Sequence, residues 1–383
     1  MSDQPLQPSD RVASVPESGI RRFFEVAAEM DNVVSLGVGE PDFATPYRAR
    51  EAAIDSLQRG RTSYTANKGM VELRERIADH VTRYDLEYDP DEEIIVTAGA
   101  SEAIDAAFRA LVNPGDSVAI AQPAYVSYEP GVRFAGGEPL PVETRAEDEF
   151  VLTRERLEAA DAQEAELLVY CYPNNPTGAT MTEDELREVA AFCREHDIAV
   201  MADEIYAALT YEGDHTSIAT LPGMRERTVV FNGFSKAYAM TGMRLGYALA
   251  TALDIESINS IHQYSMLSAP TTAQHAAIEA LDNCEPDVEE MCTQYDRRRN
   301  FVLARLDEMG IDCFEATGAF YVFPKSPWPD AGEFAEALLQ EEQVAVVPGD
   351  AFGTGGEGHL RMSYASSMDD LRTAMDRIER FLE

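Results

Sequence analysis

The sequence predicts an α/β protein with a mostly parallel sheet in a large domain and a smaller α+β domain after it. Two observations lead to this prediction. Short apolar runs alternate with helical patterns through the middle of the 383-residue chain, and after about residue 270 long helices with a few strands replace that alternation. The large domain is expected at residues 48–275, and the N-terminal arm (1–47) is expected to join residues 276–383 in the small domain.

Five apolar runs of the large domain are predicted strands. Short runs rich in β-branched residues are typical of strands buried on both faces of a parallel sheet. The runs are EIIVTA (93–98), SVAIAQP, ELLVYCYP, IAVMADEIY and TVVFNGF. Because ligands bind such sheets at the carboxyl ends of the strands, the residues that follow these runs are the first candidates for function.

Helical patterns connect the predicted strands. EAIDAAFRALV follows the first run and has the alanine and leucine spacing of a helix. Thr182 and Glu185 form a capping box, which predicts a helix start between two later runs. The apolar face of that helix is expected to hold Leu186, Val189, Ala190 and Cys193. In the small domain GAFYVFP, VAVVPG and HLRMSYA are predicted strands, and the chain ends in a helix.

The composition is strongly acidic, with a formal net charge of −38 and only three lysines, Lys68, Lys236 and Lys325. Carboxylates stay hydrated in concentrated salt, where long-range repulsion is screened, so we expect a halophilic cytoplasm. An acidic protein of a low-salt cytoplasm remains the alternative. Such a charge excludes a nucleic-acid partner, whose phosphates need a basic face.

Membrane, export and metal signals are missing from the sequence. It contains no run of about 18 apolar residues, and MSDQPLQPSD lacks the order of a signal peptide. The five cysteines form no C-x-x-C pair, and the six histidines show no ligand spacing. We therefore expect a protein outside the membrane, with reduced thiols and no metal.

Lys236 lies in FNGFSKAYAMTGMRLG (231–246), directly after a predicted strand. A lysine becomes a good amine nucleophile when it is partly desolvated or lies beside other cations, because both lower its pKa. A solvated surface lysine is the alternative interpretation. The near absence of lysine from this surface favours the functional one.

The motif S-K-x-x-x-M-T-G-M-R-L-G, with A-D-E-I-Y and P-N-N-P-T-G before it, resembles the class I/II aminotransferases. The resemblance extends from SLGVGEPDFATP near residue 40 to HLRMSYA near residue 361, and is greatest to the archaeal aromatic and aspartate subgroup. It implies the fold of the fold type I enzymes that depend on pyridoxal 5′-phosphate (PLP). It also implies that Lys236 holds PLP covalently.

The resemblance assigns the cofactor ring to five residues. Asp203 would pair with the protonated pyridine nitrogen, and Tyr206 and Asn175 would hydrogen-bond the phenolic oxygen. Tyr125 would stack on one face of the ring, and Ile205 would pack on the other.

The cofactor phosphate is implied to lie at a strand-to-helix junction, where backbone amides and the helix dipole favour an anion. Ser235 and Arg244 would add a hydroxyl and a bidentate guanidinium. Tyr64 would reach the phosphate from a partner subunit, which implies a homodimer with composite active sites. The junction is the run Gly99-Ala100-Ser101.

The resemblance assigns the substrate carboxylate to Arg361. Its planar guanidinium can form two parallel hydrogen bonds, which a lysine ammonium cannot. Gly39 would offer a backbone contact there, with Asn175 and Tyr125 also touching the substrate. Arg361 in a structural salt bridge is the alternative. The side-chain pocket is expected to include Val15, Ile20, Tyr125 and Phe320, which suits aromatic or neutral substrates.

The implied reaction is a ping-pong transamination between an aromatic or aspartate-like L-amino acid and a 2-oxo acid, expected to be 2-oxoglutarate, in amino acid metabolism. Some aspartate-using relatives place a lysine after the phosphate-loop glycine, where this chain has Ala100 and Ser101. A PLP-dependent β-lyase on the same fold remains open. A PLP-domain transcriptional regulator would need a basic helix-turn-helix before residue 36, and a nicotinamide dehydrogenase would need a G-x-G-x-x-G after a strand.

Overall fold

The computed structural model describes residues 7–15, 30 and 32–383, and twelve strands lie within them. In chain order they are β1 Val34–Ser35, β2 Ile94–Thr97, β3 Ser117–Gln122, β4 Glu138–Glu143, β5 Leu167–Cys171, β6 Ala199–Asp203, β7 Thr228–Gly233, β8 Gly246–Leu249, β9 Tyr321–Val322, β10 Val344–Ala345, β11 Val347–Pro348 and β12 Leu360–Ser363. The five runs predicted as large-domain strands all form strands.

The α-helices of the same residues cover both faces of the sheets. They are α1 Asp10–Ala13, α2 Tyr47–Gln58, α3 Val71–Val81, α4 Ala100–Leu111, α5 Tyr128–Ala135, α6 Arg154–Ala159, α7 Glu183–Glu195, α8 Ala252–Ser265, α9 Thr271–Asn283, α10 Glu285–Glu308, α11 Ala331–Glu342 and α12 Met368–Leu382. None of these helices is long and apolar enough to cross a membrane.

The central sheet has seven strands in the order β2-β8-β7-β6-β5-β3-β4. The pairs from β7 through β4 are parallel, and β8 runs antiparallel to both β2 and β7. Strands β2, β5 and β8 are buried at every position. This confirms the predicted α/β class and mostly parallel sheet, because strands that lie between helix layers are apolar on both faces.

The sequence patterns did not reveal β4 and β8. Strand β4 contains Pro139 and Pro141, which lack an N–H for a ladder hydrogen bond, and it lies at the edge of the sheet. Strand β8 has only four residues and follows directly on the motif that carries Lys236 and Arg244. Its antiparallel direction brings the start of β8 to the edge where β7 ends.

Helix α7 begins as predicted. The Thr182 side chain accepts from the Glu185 amide, and the Glu185 carboxylate accepts from the Thr182 amide at 2.7 Å. This capping box satisfies backbone donors that the first turn of a helix leaves free. The predicted face of α7 is buried: Leu186, Val189, Ala190 and Cys193.

The small-domain strands β11, β12 and β9 form an antiparallel sheet, and β1 from the N-terminal arm pairs parallel with β10. The arm strand thus pairs with a strand from the C-terminal part of the chain. The expected boundary at residue 275 falls inside α9, which packs against α2 and α3. We therefore propose that the large domain ends at Cys284, between α9 and α10.

Candidate active site

A cavity of about 510 Å³ opens at the carboxyl edge of the central sheet, where the small domain faces the strand ends. It brings together residues that are distant in sequence, from the arm, the large domain and the small domain. Twelve residues expected from the sequence line it: Gly39, Ala100, Ser101, Tyr125, Asn175, Asp203, Ile205, Tyr206, Ser235, Lys236, Arg244 and Arg361.

Lys236 follows β7 and directs its amine into the cavity. Its Nζ donates to the Gly39 carbonyl at 2.6 Å and lies 5.7 Å and 5.5 Å from the ring centroids of Tyr206 and Phe320. Burial, and after it the positive charge of Arg361, lower the pKa of the ammonium from 10.5 to about 8. The amine therefore loses its proton, and becomes a nucleophile, much closer to neutral pH than an ordinary lysine does.

Asp203 ends β6 and is buried. Its Oδ2 accepts from the Tyr128 hydroxyl at 2.6 Å, and its Oδ1 accepts from the Ile205 amide at 3.2 Å. Burial raises the pKa of Asp203 from 3.8 to about 6, while these two hydrogen bonds oppose the rise. A buried carboxylate of this kind gains from a cationic partner, and a protonated pyridine nitrogen would supply one.

Tyr206 and Asn175 lie on neighbouring strand-end turns. The Tyr206 hydroxyl is 3.0 Å from the Tyr321 hydroxyl, and burial raises the Tyr206 pKa well above its ordinary value. Asn175 lies in a turn after β5 that Asn174 closes by accepting from the Thr177 amide at 3.0 Å. The turn leaves the Asn175 side chain in the cavity wall.

A candidate anion site, made of backbone amides and the Arg244 guanidinium, lies where β2 joins α4. Gly99 precedes α4 with φ +94°, and the first amides of the helix, at Ala100 and Ser101, have no intrahelical partner. A Cβ at Gly99 would lie 2.7 Å from Nη2 of Arg244, and one at Gly246 would lie 2.3 Å from the Ala100 nitrogen. Only glycine lets the guanidinium and the strand approach this helix start, which suits a phosphate.

Arg361 enters from β12 and is buried between two aromatic rings. Its guanidinium carbon is 4.7 Å from the Tyr321 ring centroid and 4.6 Å from that of Phe352. Nη1 donates to Asn175 Oδ1 at 2.9 Å, and Nη2 donates to the Gly37 carbonyl. Its Nε is buried and has no hydrogen-bond partner among the described residues. The expected alternative, a structural salt bridge, is absent within that part of the chain. Arg361 thus has donor capacity left for a ligand.

Three other expectations have different outcomes. Gly99 touches Arg244 without lining the cavity, and Tyr64 lies outside the cavity of its own chain with 80% of its surface exposed. Phe320 is fully buried behind Tyr206, and its neighbour Tyr321 forms the cavity wall instead.

Two further pocket residues were expected in the arm. Val15 lines an adjoining cavity of about 900 Å³ that also contains Tyr125, and Ile20 lies outside the described residues.

Sequence reasoning missed Tyr128 and Tyr321. Tyr128 is one helical turn from Tyr125 in QPAYVSY, and its ring meets that of Tyr125 edge-on at 5.5 Å. Tyr321 lies in GAFYVFP and pairs across strands with Ser363, two residues after Arg361. A cross-strand pairing of these two runs would have suggested Tyr321, whereas nothing in the sequence linked Tyr128 to Asp203.

The donor set of this cavity fits PLP and not a metal ion. An amine, a buried carboxylate, a helix start with an arginine and a second arginine match the aldehyde, the ring nitrogen, the phosphate and a substrate carboxylate. No group of three or more histidine, cysteine, aspartate or glutamate side chains suited to a metal occurs in residues 7–15, 30 and 32–383.

Comparison with known proteins agrees with this geometry. The family described as aminotransferase class I and II matches residues 31–378. The YugH protein of Bacillus subtilis (strain 168) is 52% identical over 377 residues, covering 98% of each chain. The aspartate aminotransferase of Pyrococcus abyssi is 44% identical over 380 residues, again covering 98% of each. The crystal structure of the aromatic aminotransferase from Pyrococcus horikoshii OT3 superposes with a TM-score of 0.89 at 43% identity, covering 95% of this chain and 98% of that one.

Proposed function

The chain belongs to the class I and II aminotransferases, and we propose that it uses PLP, held at Lys236, to move the amino group of an L-amino acid to a 2-oxo acid. The observation that carries this proposal is the Lys236 amine with its pKa near 8, in one cavity with Asp203, Arg244 and Arg361. When bound, PLP supplies an electron sink for the charge that develops at the substrate Cα.

Lys236 has two tasks in this proposal. Its neutral amine would hold the cofactor, and with substrate bound Nζ would take the proton from the substrate Cα as a general base. The Gly39 carbonyl, 2.6 Å from Nζ, orients the amine. The same nitrogen would then give that proton to the cofactor, so the residue acts as base and acid in turn.

Asp203 and Arg244 keep the cofactor in its reactive state. The Asp203 carboxylate is oriented by the Tyr128 hydroxyl and the Ile205 amide, and it would hold a proton on the ring nitrogen. Arg244, beside the α4 start, holds the phosphate and is itself fixed by its bond to the Thr241 carbonyl at 2.8 Å.

Arg361 aims the substrate. Its fork can bind the α-carboxylate in two parallel hydrogen bonds, which fixes Cα relative to Nζ of Lys236. Because an amino acid and a 2-oxo acid share this carboxylate, one site serves both half-reactions of a ping-pong cycle. The partner oxo acid is proposed to be 2-oxoglutarate.

The substrate class is proposed to be aromatic or aspartate-like amino acids, since the relatives named above act on such amino acids by name. The test is a survey of half-reactions. Each amino acid is added without an oxo acid, and loss of the visible absorbance of bound PLP is followed. Rapid loss with aromatic amino acids or aspartate supports the proposal, and no loss with any amino acid contradicts it. Continuous release of ammonia and pyruvate would instead favour the β-lyase.

A homodimer with composite sites is part of the proposal. The segment around Tyr64 is held against the start of α9, since the Thr271 hydroxyl donates to the Ser63 carbonyl at 2.8 Å and the Asn67 amide donates to the Leu267 carbonyl at 2.7 Å. Tyr264 beside it is 89% exposed. Large exposed apolar groups in one region favour a second copy as their partner. Sedimentation gives the number of subunits. Tyr64→Phe should weaken PLP binding and leave the number of subunits unchanged.

The acidic composition supports a halophilic cytoplasmic enzyme. At a net charge of −38, repulsion opposes the compact state until salt screens it. Activity and far-UV circular dichroism after dilution from molar salt test this. Unchanged stability in dilute buffer would overturn it.

A further inference from the structure

Tyr321 touches three parts of the active site at once. It lies on β9 of the small domain, is almost fully buried and lines the cavity. Its hydroxyl is 3.0 Å from that of Tyr206, and the Arg361 guanidinium lies over its ring at 4.7 Å. A Cβ at Gly39 would fall 2.2 Å from the same hydroxyl, so Gly39 leaves it room.

We propose that Tyr321 is a positioning residue that couples carboxylate binding at Arg361 to the hydrogen bond that Tyr206 offers to the cofactor. This inference rests on the proposed function. It names one residue that connects the small-domain side of the cavity, where the substrate carboxylate binds, with the large-domain side, where Lys236 reacts.

The first step concerns the direction of the bond between the two hydroxyls. Each tyrosine has one O–H, so one of the pair donates and the other accepts. If Tyr321 donates, the proton of Tyr206 is free to point into the cavity, at the phenolic oxygen of PLP. If Tyr206 donates to Tyr321, it has no proton left for the cofactor.

The second step concerns the charge beside Tyr321. A guanidinium over the ring makes its O–H a stronger donor, because the charge stabilises electron density on the oxygen. Burial raises the pKa of Tyr321, and Arg361 is the strongest influence opposing that rise; the other ionisable groups around the hydroxyl are Tyr206, Cys171 and Tyr125. With Arg361 free, Tyr321 is therefore the donor.

A bound carboxylate changes this preference. It pairs with the Arg361 charge, so Tyr321 becomes a weaker donor and Tyr206 turns its proton toward Tyr321. Tyr206 then no longer draws charge from the phenolic oxygen, and the Lys236 nitrogen becomes more basic. Because the nitrogen is more basic once the carboxylate is bound, substrate binding prepares it to accept a proton during the reaction.

The test compares Tyr321→Phe with Tyr364→Phe. The first variant keeps the ring under Arg361 and removes only the hydroxyl, while Tyr364 is an equally buried tyrosine whose hydroxyl donates to the Ala319 carbonyl at 3.2 Å, outside the cavity. The visible absorbance of bound PLP is titrated with pH, with and without 3-phenylpropanoate, a carboxylate that has no amino group to transfer.

In the wild type and in Tyr364→Phe, the carboxylate should raise the apparent pKa of the chromophore. In Tyr321→Phe that rise should fall by about threefold or more, while the Kd of the carboxylate stays within about threefold, because one neutral hydrogen bond is lost and the Arg361 site is kept. An unchanged rise in Tyr321→Phe overturns the coupling. So does a Kd that weakens about tenfold or more, since Tyr321 would then only shape the Arg361 site.

Tyr206→Phe supplies an independent check, including for the case in which Tyr321→Phe does not fold. It should reduce the carboxylate-induced rise to the part that pairing of the Arg361 charge causes directly, and adding Tyr321→Phe to it should change nothing further. A rise in Tyr206→Phe as large as in the wild type also overturns the coupling. A wild type without any visible PLP absorbance would contradict the proposed function instead, so the two failures are distinguishable.

Discussion

The two edges of the central sheet carry ionisable residues in very different environments. At the carboxyl edge Asp203 and Lys236 are buried, and their pKa values move to about 6 and about 8. At the amino edge carboxylates precede four strands and line an open cavity of about 310 Å³. They are Asp116, Glu166, Asp197 and Glu226, of which the last three are exposed. The same chain thus makes reactive groups at one edge and solvated ones at the other.

The difference teaches that burial and backbone direction, and not residue type, decide reactivity here. The carboxyl edge receives the start of α4, whose free amides favour an anion, and Tyr321, Phe352 and Arg361 of the small domain line the cavity there. At the amino edge carboxylates instead bond to nearby backbone or to solvated cations, as Glu166 does with the Ser117 amide at 2.7 Å. Four sets of variants test this contrast.

Lys236→Ala should have the largest effect. Because both covalent attachment and general-base function are lost, turnover should fall at least about 10⁴-fold. The visible absorbance of lysine-bound PLP should disappear as well. Lys325→Ala, at an exposed lysine of the small domain, is the matched control and should retain both. Turnover and absorbance that persist in Lys236→Ala would refute the assignment.

Asp203→Asn should lower turnover by roughly 10²–10³-fold, because a neutral amide cannot hold the proton on the ring nitrogen. The cofactor-free protein gives a second readout. With a folded pKa near 6 against an ordinary 3.8, the folded state binds more protons in this window, so Asp203 makes the free energy of unfolding fall as pH rises from about 4 to 6. Asp203→Asn should remove that contribution. Denaturant titrations at several pH values measure it.

Arg361→Lys and Arg361→Leu separate geometry from charge. Both should raise KM about 10²-fold by losing the two-bond fork. The rate at which PLP attaches to the cofactor-free protein should rise with pH around a midpoint near 8, where the Lys236 amine loses its proton. Arg361→Leu should move this midpoint upward, because a charge that lowers the Lys236 pKa is gone. Arg361→Lys should leave the midpoint in place, and equal midpoints in both variants would contradict this role.

Asp197→Asn, just before β6, should have the smallest effect. Its carboxylate is exposed, and its ion pair with Arg227 at 3.1 Å is solvated. The free energy of unfolding should change by less than about 0.5 kcal/mol, with kcat unchanged. Since Asp203 ends the same strand, the pair compares one residue type at the two edges. A loss of kcat comparable to that of Asp203→Asn would break the contrast.

The sequence predicted most of the sheet because its central strands are buried on both faces and must be apolar. It did not reveal β4, whose two prolines are tolerated only because the strand lies at an edge. It also did not reveal β8, which has four residues and runs antiparallel to both of its neighbours. Edge position and strand direction depend on which segments pair, and the local pattern carries no information about that.

For the site, motifs predicted residues on or just after strands, such as Lys236, Asp203 and Arg361, because residue type and spacing carry information about their chemistry. Only the tertiary structure decided what surrounds them. It placed the Tyr128 hydroxyl against Asp203 and placed Tyr321 between Tyr206 and Arg361. Tyr206 and Tyr321 are 115 positions apart in the sequence. From the sequence, a tyrosine in an apolar run is predicted to be a core residue. Its function depends on which buried polar group its hydroxyl contacts once the domains have packed together.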